Sequence, residues 1–268
     1  MSASAVYLEL FKKSFLEEYI YKANLWLKIL RNVVYIFISA CIWTNLLQAN
    51  GGGDPGFIKL NDMIGYVIVT LFIRNLVESY VSKTMAEQIR DGSIIFYFTQ
   101  PVNFNLHIFS YQFGKNLFET VFGTLPVCLA AYFFWGPAFF AHQTRWPLFL
   151  LAVLLSVVIM FYIHSILGLL VFWLKSGAFI DFLVGSLFEV FGGTFIPLWF
   201  YPPSLVAIGN FLPFRLVVFE PIRIYLGKAS LAESVQILLI QIAWIGALFV
   251  LEKLVWREAQ KVVTIQGG

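Results

Sequence analysis

Gly192-Gly193-Thr194-Phe195-Ile196-Pro197-Leu198-Trp199-Phe200-Tyr201-Pro202-Pro203 follows an apolar run that begins near Ala178, and it breaks that run without turning polar. Two glycines and three prolines interrupt backbone hydrogen bonding, while the side chains stay suited to lipid or a protein interior. A loop bathed in water is composed differently. Within lipid every backbone polar group needs an internal partner, so the freed groups here must be shielded by other helices or line a cavity. Interrupted apolar segments of this kind suit a transport protein.

Outward from this stretch, composition points the same way. Of 268 residues, 60% are hydrophobic and 12% charged, and the mean hydropathy is +0.81. Soluble domains carry about 25% charged residues, so lipid is the main solvent of this chain. A span of roughly 20 residues crosses a hydrocarbon core about 30 Å thick, which predicts six spans, at 29–47, 63–82, 109–134, 147–173, 178–201 and 235–255. The expected fold is therefore all-α and integral to the membrane, with a segment 1–28 followed by one six-span transmembrane domain, 29–268. The stretches outside the spans are too short for a soluble catalytic domain. No charged n-region followed by a short apolar core and a small-residue cleavage site marks a cleaved signal peptide, so the first span is expected to direct insertion.

Orientation follows from Lys and Arg placement. With the N-terminus in the cytoplasm, eleven basic residues fall inside and five outside, with Arg74 and Lys115 inside spans. Both termini are thus expected to be cytoplasmic. The net charge of +3 reflects this asymmetry and not the concentrated basic face of a nucleic-acid binder. Before the first span, Leu8, Phe11, Phe15 and Tyr19 recur at helical spacing opposite Glu9, Lys12, Lys13 and Glu17, which predicts an amphipathic helix along the cytoplasmic interface. That helix serves either as an anchor alone or also as a partner contact.

The connection after the first span, Asn50-Gly51-Gly52-Gly53-Asp54-Pro55-Gly56, reads as a flexible linker. The one after the second span is more informative. A charged helical turn containing Glu87, Arg90 and Asp91 ends at Gly92, as helix C-termini often do, and is followed by an aromatic segment with Tyr97 that stops at Pro101. On the cytoplasmic side, residues 83–101 would make a docking knob.

Ile89-x-x-Gly92 followed by Gln100-Pro101, six spans, an N-terminal interfacial helix, and Gly193-x-x-Ile196-Pro197-x-x-x-x-Pro202 with Leu212-Pro213-Phe214, Pro221 and Leu226-Gly227 together resemble type-two ABC exporter permeases. The likeness is closest to daunorubicin-type drug exporters and their relatives, in which the ATPase is a separate polypeptide. It implies a bacterial inner (plasma) membrane protein, a dimer with a second six-span permease, alike or related, and ATPase subunits gripping the 83–101 loop as a coupling helix. It also implies a re-entrant pair of short helices over 202–234 near the outer face, acting as a structural plug or a gate. ATP and Mg would be bound by the partner ATPase. Consistent with this, no phosphate-binding G-x-x-x-x-G-K-[ST] loop is present, since Gly114-Lys115 precedes Asn116 and Gly227-Lys228 precedes Ala229.

Charges inside spans are functional candidates by default. Arg74 and Glu78, and likewise Lys115 and Glu119, stand at i, i+4, so each pair could neutralise itself on one helix face or serve a polar pathway. Glu189, eight residues beyond Asp181, has no partner at helical spacing and is a candidate for the translocation path or a subunit interface. With the break, the candidates for path or gate are Arg74, Glu78, Glu189, Phe195, Pro197 and Trp199. His107, His142 and His164 are too dispersed for metal binding, so none is expected. Cys41 and Cys128 lie in apolar spans, where a small buried hydrophobe is the ordinary role. The serines Ser156, Ser165 and Ser186 suit helix packing. Alternative functions are an ATP-independent transporter or channel, for which matching broken segments in two halves are wanting, and a membrane enzyme or scaffold, for which no convergent polar site is visible.

Overall fold

In the computed structural model the described residues are 3–20, 22–49, 59–79, 81–93, 104–136, 145–174 and 177–266. The linker at Asn50–Gly56, Gln100, Tyr97, Pro101, His142 and Lys175 lie outside them, as does the side chain of Asp181. Every regular element among the described residues is helical: α1 (Ala3–Ile20), α2 (Lys22–Ala49), α3 (Leu60–Val77), α4 (Val81–Arg90), α5 (Phe104–Glu119), α6 (Leu125–Trp135), α7 (Trp146–Leu174), α8 (Gly177–Phe191), α9 (Pro203–Asn210), α10 (Phe219–Tyr225) and α11 (Leu231–Gln266). The chain is an all-α integral membrane protein. Among the described residues five helical stretches are long and apolar enough to cross a membrane, at Asn24–Leu47, Leu60–Arg90, Leu106–Trp135, Trp146–Leu174 and Leu231–Lys261.

The expected fifth span, 178–201, is different. Its helix α8 stops at Phe191 after 15 residues, about 22 Å at 1.5 Å per residue, which is short of the roughly 30 Å hydrocarbon core. The cause lies in Gly192-Gly193. Gly192 N–H closes the last helical turn on Phe188 O at 2.8 Å, and Gly193 then takes φ of +72°, a conformation that L side chains rarely adopt. Beyond the break come a 3₁₀ turn at Leu198–Phe200 and then α9. The segment Pro203–Asn210 with Pro213–Tyr225 is bent by 85°, a geometry common to a broken span and a re-entrant loop. The last helix starts earlier than its predicted apolar core, at Leu231, because Ser230 and Glu233 form a capping box: Glu233 N–H donates to Ser230 Oγ at 3.2 Å and Ser230 N–H to Glu233 Oε2 at 2.6 Å.

The third span is continuous but not uniform. Between α5 and α6 lies a five-residue π turn, Thr120–Thr124. Pro126 follows after Leu125; it cannot donate to the preceding turn and its ring crowds it, and a widened turn relieves that conflict. The Asn32 amide reaches Gly123 O and Thr124 Oγ1, both at 3.5 Å, tying α2 to this point.

The main core lies among α3, α7, α8, α10 and α11, with Tyr66, Ile73, Phe149, Ile159, Val217, Ile222 and Ile224 among its buried members. A node in it is Gln241 of α11, fully buried. Its Nε2 donates to Ala152 O at 3.0 Å and Leu216 O at 2.9 Å, which binds α11, α7 and the 3₁₀ turn Pro213–Leu216 together. Helix α1 packs against α5: Phe15 meets Phe118 edge to face at 5.1 Å and Phe11 lies 6.0 Å from Phe113. Gly114 makes this possible, since a Cβ there would overlap the Ser14 hydroxyl and the Phe11 carbonyl. The apolar stripe read from sequence is therefore divided, with Phe11 and Phe15 on α5 while Leu8 and Tyr19 stay exposed.

Candidate functional site

Helix α3 is apolar and buried through most of its length, then ends in Arg74, Asn75 and Glu78. The chain breaks there before α4, which frees carbonyls that α5 satisfies. Asn116 Nδ2 donates to Leu76 O at 2.9 Å and to Glu78 O at 2.5 Å, and its Oδ1 accepts from Gln112 Nε2 at 2.7 Å. Asn75 Oδ1 accepts from Arg31 Nη2 at 2.9 Å. Polar side chains thus cluster where the backbone ladder fails, as satisfaction of buried groups requires.

The charges that spacing could neutralise within one helix are committed between helices. Arg74 is paired with Glu189 of α8, so Glu189, which lacked a partner at helical spacing, has one from another helix. Glu78 lies 3.8 Å from Arg31 of α2. Lys115 reaches Glu18 of α1 at 2.9 Å, and Glu119 is paired with Lys28, itself 4.0 Å from Glu18. The result is a polar belt joining α1, α2, α3, α5 and α8. Exposed ion pairs are worth about 0–1 kcal/mol, whereas the same charges in lipid are costly unless paired; the belt is therefore held together chiefly by the cost of separating it.

The belt connects directly to the broken segment. Glu189 Oε2 accepts from Thr194 Oγ1 at 2.5 Å. Tyr35 Oη donates to Thr194 O at 3.1 Å and Tyr66 Oη to Gly193 O at 2.5 Å. Two tyrosines from α2 and α3 therefore supply donors to the carbonyls that the glycine pair leaves unbonded. Beyond it, Trp199 packs edge to face on Tyr66 at 5.8 Å and on Phe219 at 4.8 Å. Pro197 is buried, whereas Phe195 is 64% exposed and points away from this core. A cavity of about 160 Å³ lies between α3, α7 and α8 and is lined by Arg74, Glu78, Ser79, His164 and Glu189. The structure thus brings Arg74, Glu78 and Glu189 to one cavity, places Pro197 and Trp199 next along the chain, and leaves Phe195 outside.

The other candidate region adjoins this cavity through His164. On α4, Val81, Ser82 and Met85 are buried. Ser82 Oγ lies 3.2 Å from His164 Nδ1, and Gly168 of α7 lets Met85 approach so closely that a Cβ at 168 would sit 2.6 Å from its sulfur. Glu87, Arg90 and Asp91 form the exposed face. Gly92 adopts φ of +77° with open space around it. Ser93 N–H donates to Asp91 Oδ1 at 2.9 Å, and hydrogen bonding from Ser93 holds that carboxyl below its usual range. Local helical periodicity makes this face legible in sequence. The participation of Glu18, Lys28, Arg31, Tyr35 and Tyr66 was not, because their partners lie 44 to 159 residues away in cases such as Arg31 with Asn75 and Tyr35 with Thr194; the one available signal was that Lys28 and Arg31 lie one helical turn apart at the edge of a span.

A family model described as ABC-2 family transporter protein matches residues 58–267, a range that takes in α3 to α11. No curated protein matches the chain.

Proposed function

Because the chain belongs to the ABC-2 transporter family, and is thereby a multi-pass membrane protein and a permease subunit of an ABC transporter, we propose that it exports a hydrophobic or amphipathic compound, driven by a separate ATPase chain. In this proposal ATP and Mg are bound by that partner, and two permeases, alike or related, enclose the path, as in daunorubicin-type exporters. The orientation proposed places both termini in the cytoplasm of a bacterial cell, with the 1–28 segment along the inner face of the plasma membrane and the 202–234 hairpin near the outer face.

The observation that carries the ATPase assignment is the exposed end of α4. Its charged residues Glu87 and Arg90, with Asp91 just past its end, project from a helix whose other face packs on α7 through Gly168 and Met85, so force applied at this end is passed to a long helix of the bundle. Tyr97 and Pro101 extend the same proposed docking loop. The path or gate proposed lies at the cavity bounded by Arg74, Glu78 and Glu189 and at the break with Pro197 and Trp199; Phe195, being exposed, would contact the second permease or lipid.

The experiment is reconstitution of the complex with its ATPase in lipid vesicles. Glu87→Ala with Arg90→Ala is expected to lower transport-coupled ATP hydrolysis about tenfold, equivalent to about 1.4 kcal/mol of coupling, with insertion unchanged. Wild-type coupling in the double variant would remove the docking assignment.

A further inference from the structure

At the Asp62 end of α3, opposite α4, a second cavity of about 410 Å³ opens between the Leu198–Phe200 turn, α9 and α10. Three cations line it, Arg215, Arg223 and Lys228, together with the apolar Trp199, Val206 and Phe219, and among the described residues lining it there is no carboxylate. The acids stand behind the cations. Glu220, 2% exposed, accepts from Arg215 Nε at 3.0 Å and Arg223 Nη1 at 2.9 Å, while Asp62 holds Lys228 at 3.1 Å. One buried carboxylate thus orients two guanidiniums, and the half-exposed Glu233 lies 3.6 Å from Arg223 Nη2, so the three cations are matched by three acids and what they offer the cavity is their remaining N–H donors. Each guanidinium carries five N–H donors in a planar fork, and Glu220 takes only Nε and Nη2 from Arg215.

We propose that this cavity binds an anionic amphiphile, its phosphate or phosphodiester headgroup on Arg215, Arg223 and Lys228 and its first methylenes against Trp199, Val206 and Phe219. The volume lies within the roughly 300–1,000 Å³ of small-molecule sites, well above what a bare ion fills, and most of its lining is apolar, which a free anion would not use. Arginine forks match phosphate oxygens in pairs. The aromatic floor is preorganised, because Trp199 is wedged between Tyr66 and Phe219. The site does not depend on the direction of transport or on the ATPase.

The test uses the purified full chain in nonionic detergent, with bound adducts counted by native mass spectrometry. The probes are dioctanoyl phosphatidylglycerol, dioctanoyl phosphatidylcholine and inorganic phosphate. Phosphatidylglycerol is expected to bind about tenfold more tightly than phosphatidylcholine, and inorganic phosphate in large excess is expected to leave it bound. Val206→Trp fills the cavity with the cations intact, and Lys228→Gln removes a rim charge; each is expected to weaken phosphatidylglycerol binding about tenfold. Equal binding of the two lipids, displacement by inorganic phosphate, or undiminished binding in Lys228→Gln and Val206→Trp would each overturn the proposal. If Val206→Trp does not elute as a folded species, Lys228→Gln and Arg223→Gln decide it.

Discussion

Glu220 shows what one residue can determine. It is a buried carboxylate in a lipid-solvated chain, and its charge is tolerated because Arg215 and Arg223 converge on it. Removing one member of a buried ion network costs about 3–5 kcal/mol. Glu220→Gln is therefore expected to shorten the half-life of the purified protein at a fixed elevated temperature in detergent; an unchanged half-life would mean that water, and not Glu220, carries the arginines. Gly193 is constrained in another way. Its φ of +72° and the 2.9 Å between a would-be Cβ and Tyr66 Oη make Gly193→Ala cost about 1–2 kcal/mol through backbone conformation alone, with displacement of Tyr66 added to that. The same half-life assay reads it, and Tyr66→Phe, which removes only the hydroxyl, is expected to show a smaller loss, about 1 kcal/mol.

At the scale of elements, two helix glycines differ in what surrounds them. Gly168 lets α4 lie against α7, with Met85 and the Ser82 backbone nearest. Gly168→Leu is expected to push α4 off its seat and reduce ATPase coupling in the reconstituted complex while the chain still inserts; full coupling would separate the α4 seat from the docking role. Gly246 of α11 faces open space, so Gly246→Ala should be neutral or stabilise by up to about 1 kcal/mol through helix propensity, read as a longer half-life. Helix α8 shows how an element can be misjudged from hydropathy. Residues 178–201 are apolar on average despite Asp181 and Glu189, and a window average cannot see that Gly192-Gly193 ends the helix at Phe191. The break itself was legible, since glycine and proline act locally; its consequence, a helix too short to span, needed the backbone.

Across the whole molecule, the Arg74 and Glu189 pair joins α3 to the end of α8 and, through Thr194, to the broken segment. If it latches the cavity, Arg74→Gln and Glu189→Gln should each impair transport, and the two together should be no worse than either alone. A double-mutant cycle on transport rate is expected to give a coupling energy of about 0.5–3 kcal/mol; strict additivity would show that the two residues act independently.

What the sequence determined by itself was the solvent, the all-helical class, most of the spans, the break at Gly192-Gly193 and the exposed charged face of α4. These follow from short-range properties, namely hydropathy over a span length, backbone freedom at glycine and proline, and the 3.6-residue repeat. Only the tertiary structure decided which charges meet. Lys28 with Glu119, Lys115 with Glu18 and Arg74 with Glu189 are partners across 91, 97 and 115 residues of chain, chosen by how helices pack, and the same packing gathered Arg215, Arg223 and Lys228 around one cavity. Helical spacing offered Arg74 and Lys115 neighbours on their own helices, but lipid makes an unpaired charge so costly that helix packing brings distant charges together.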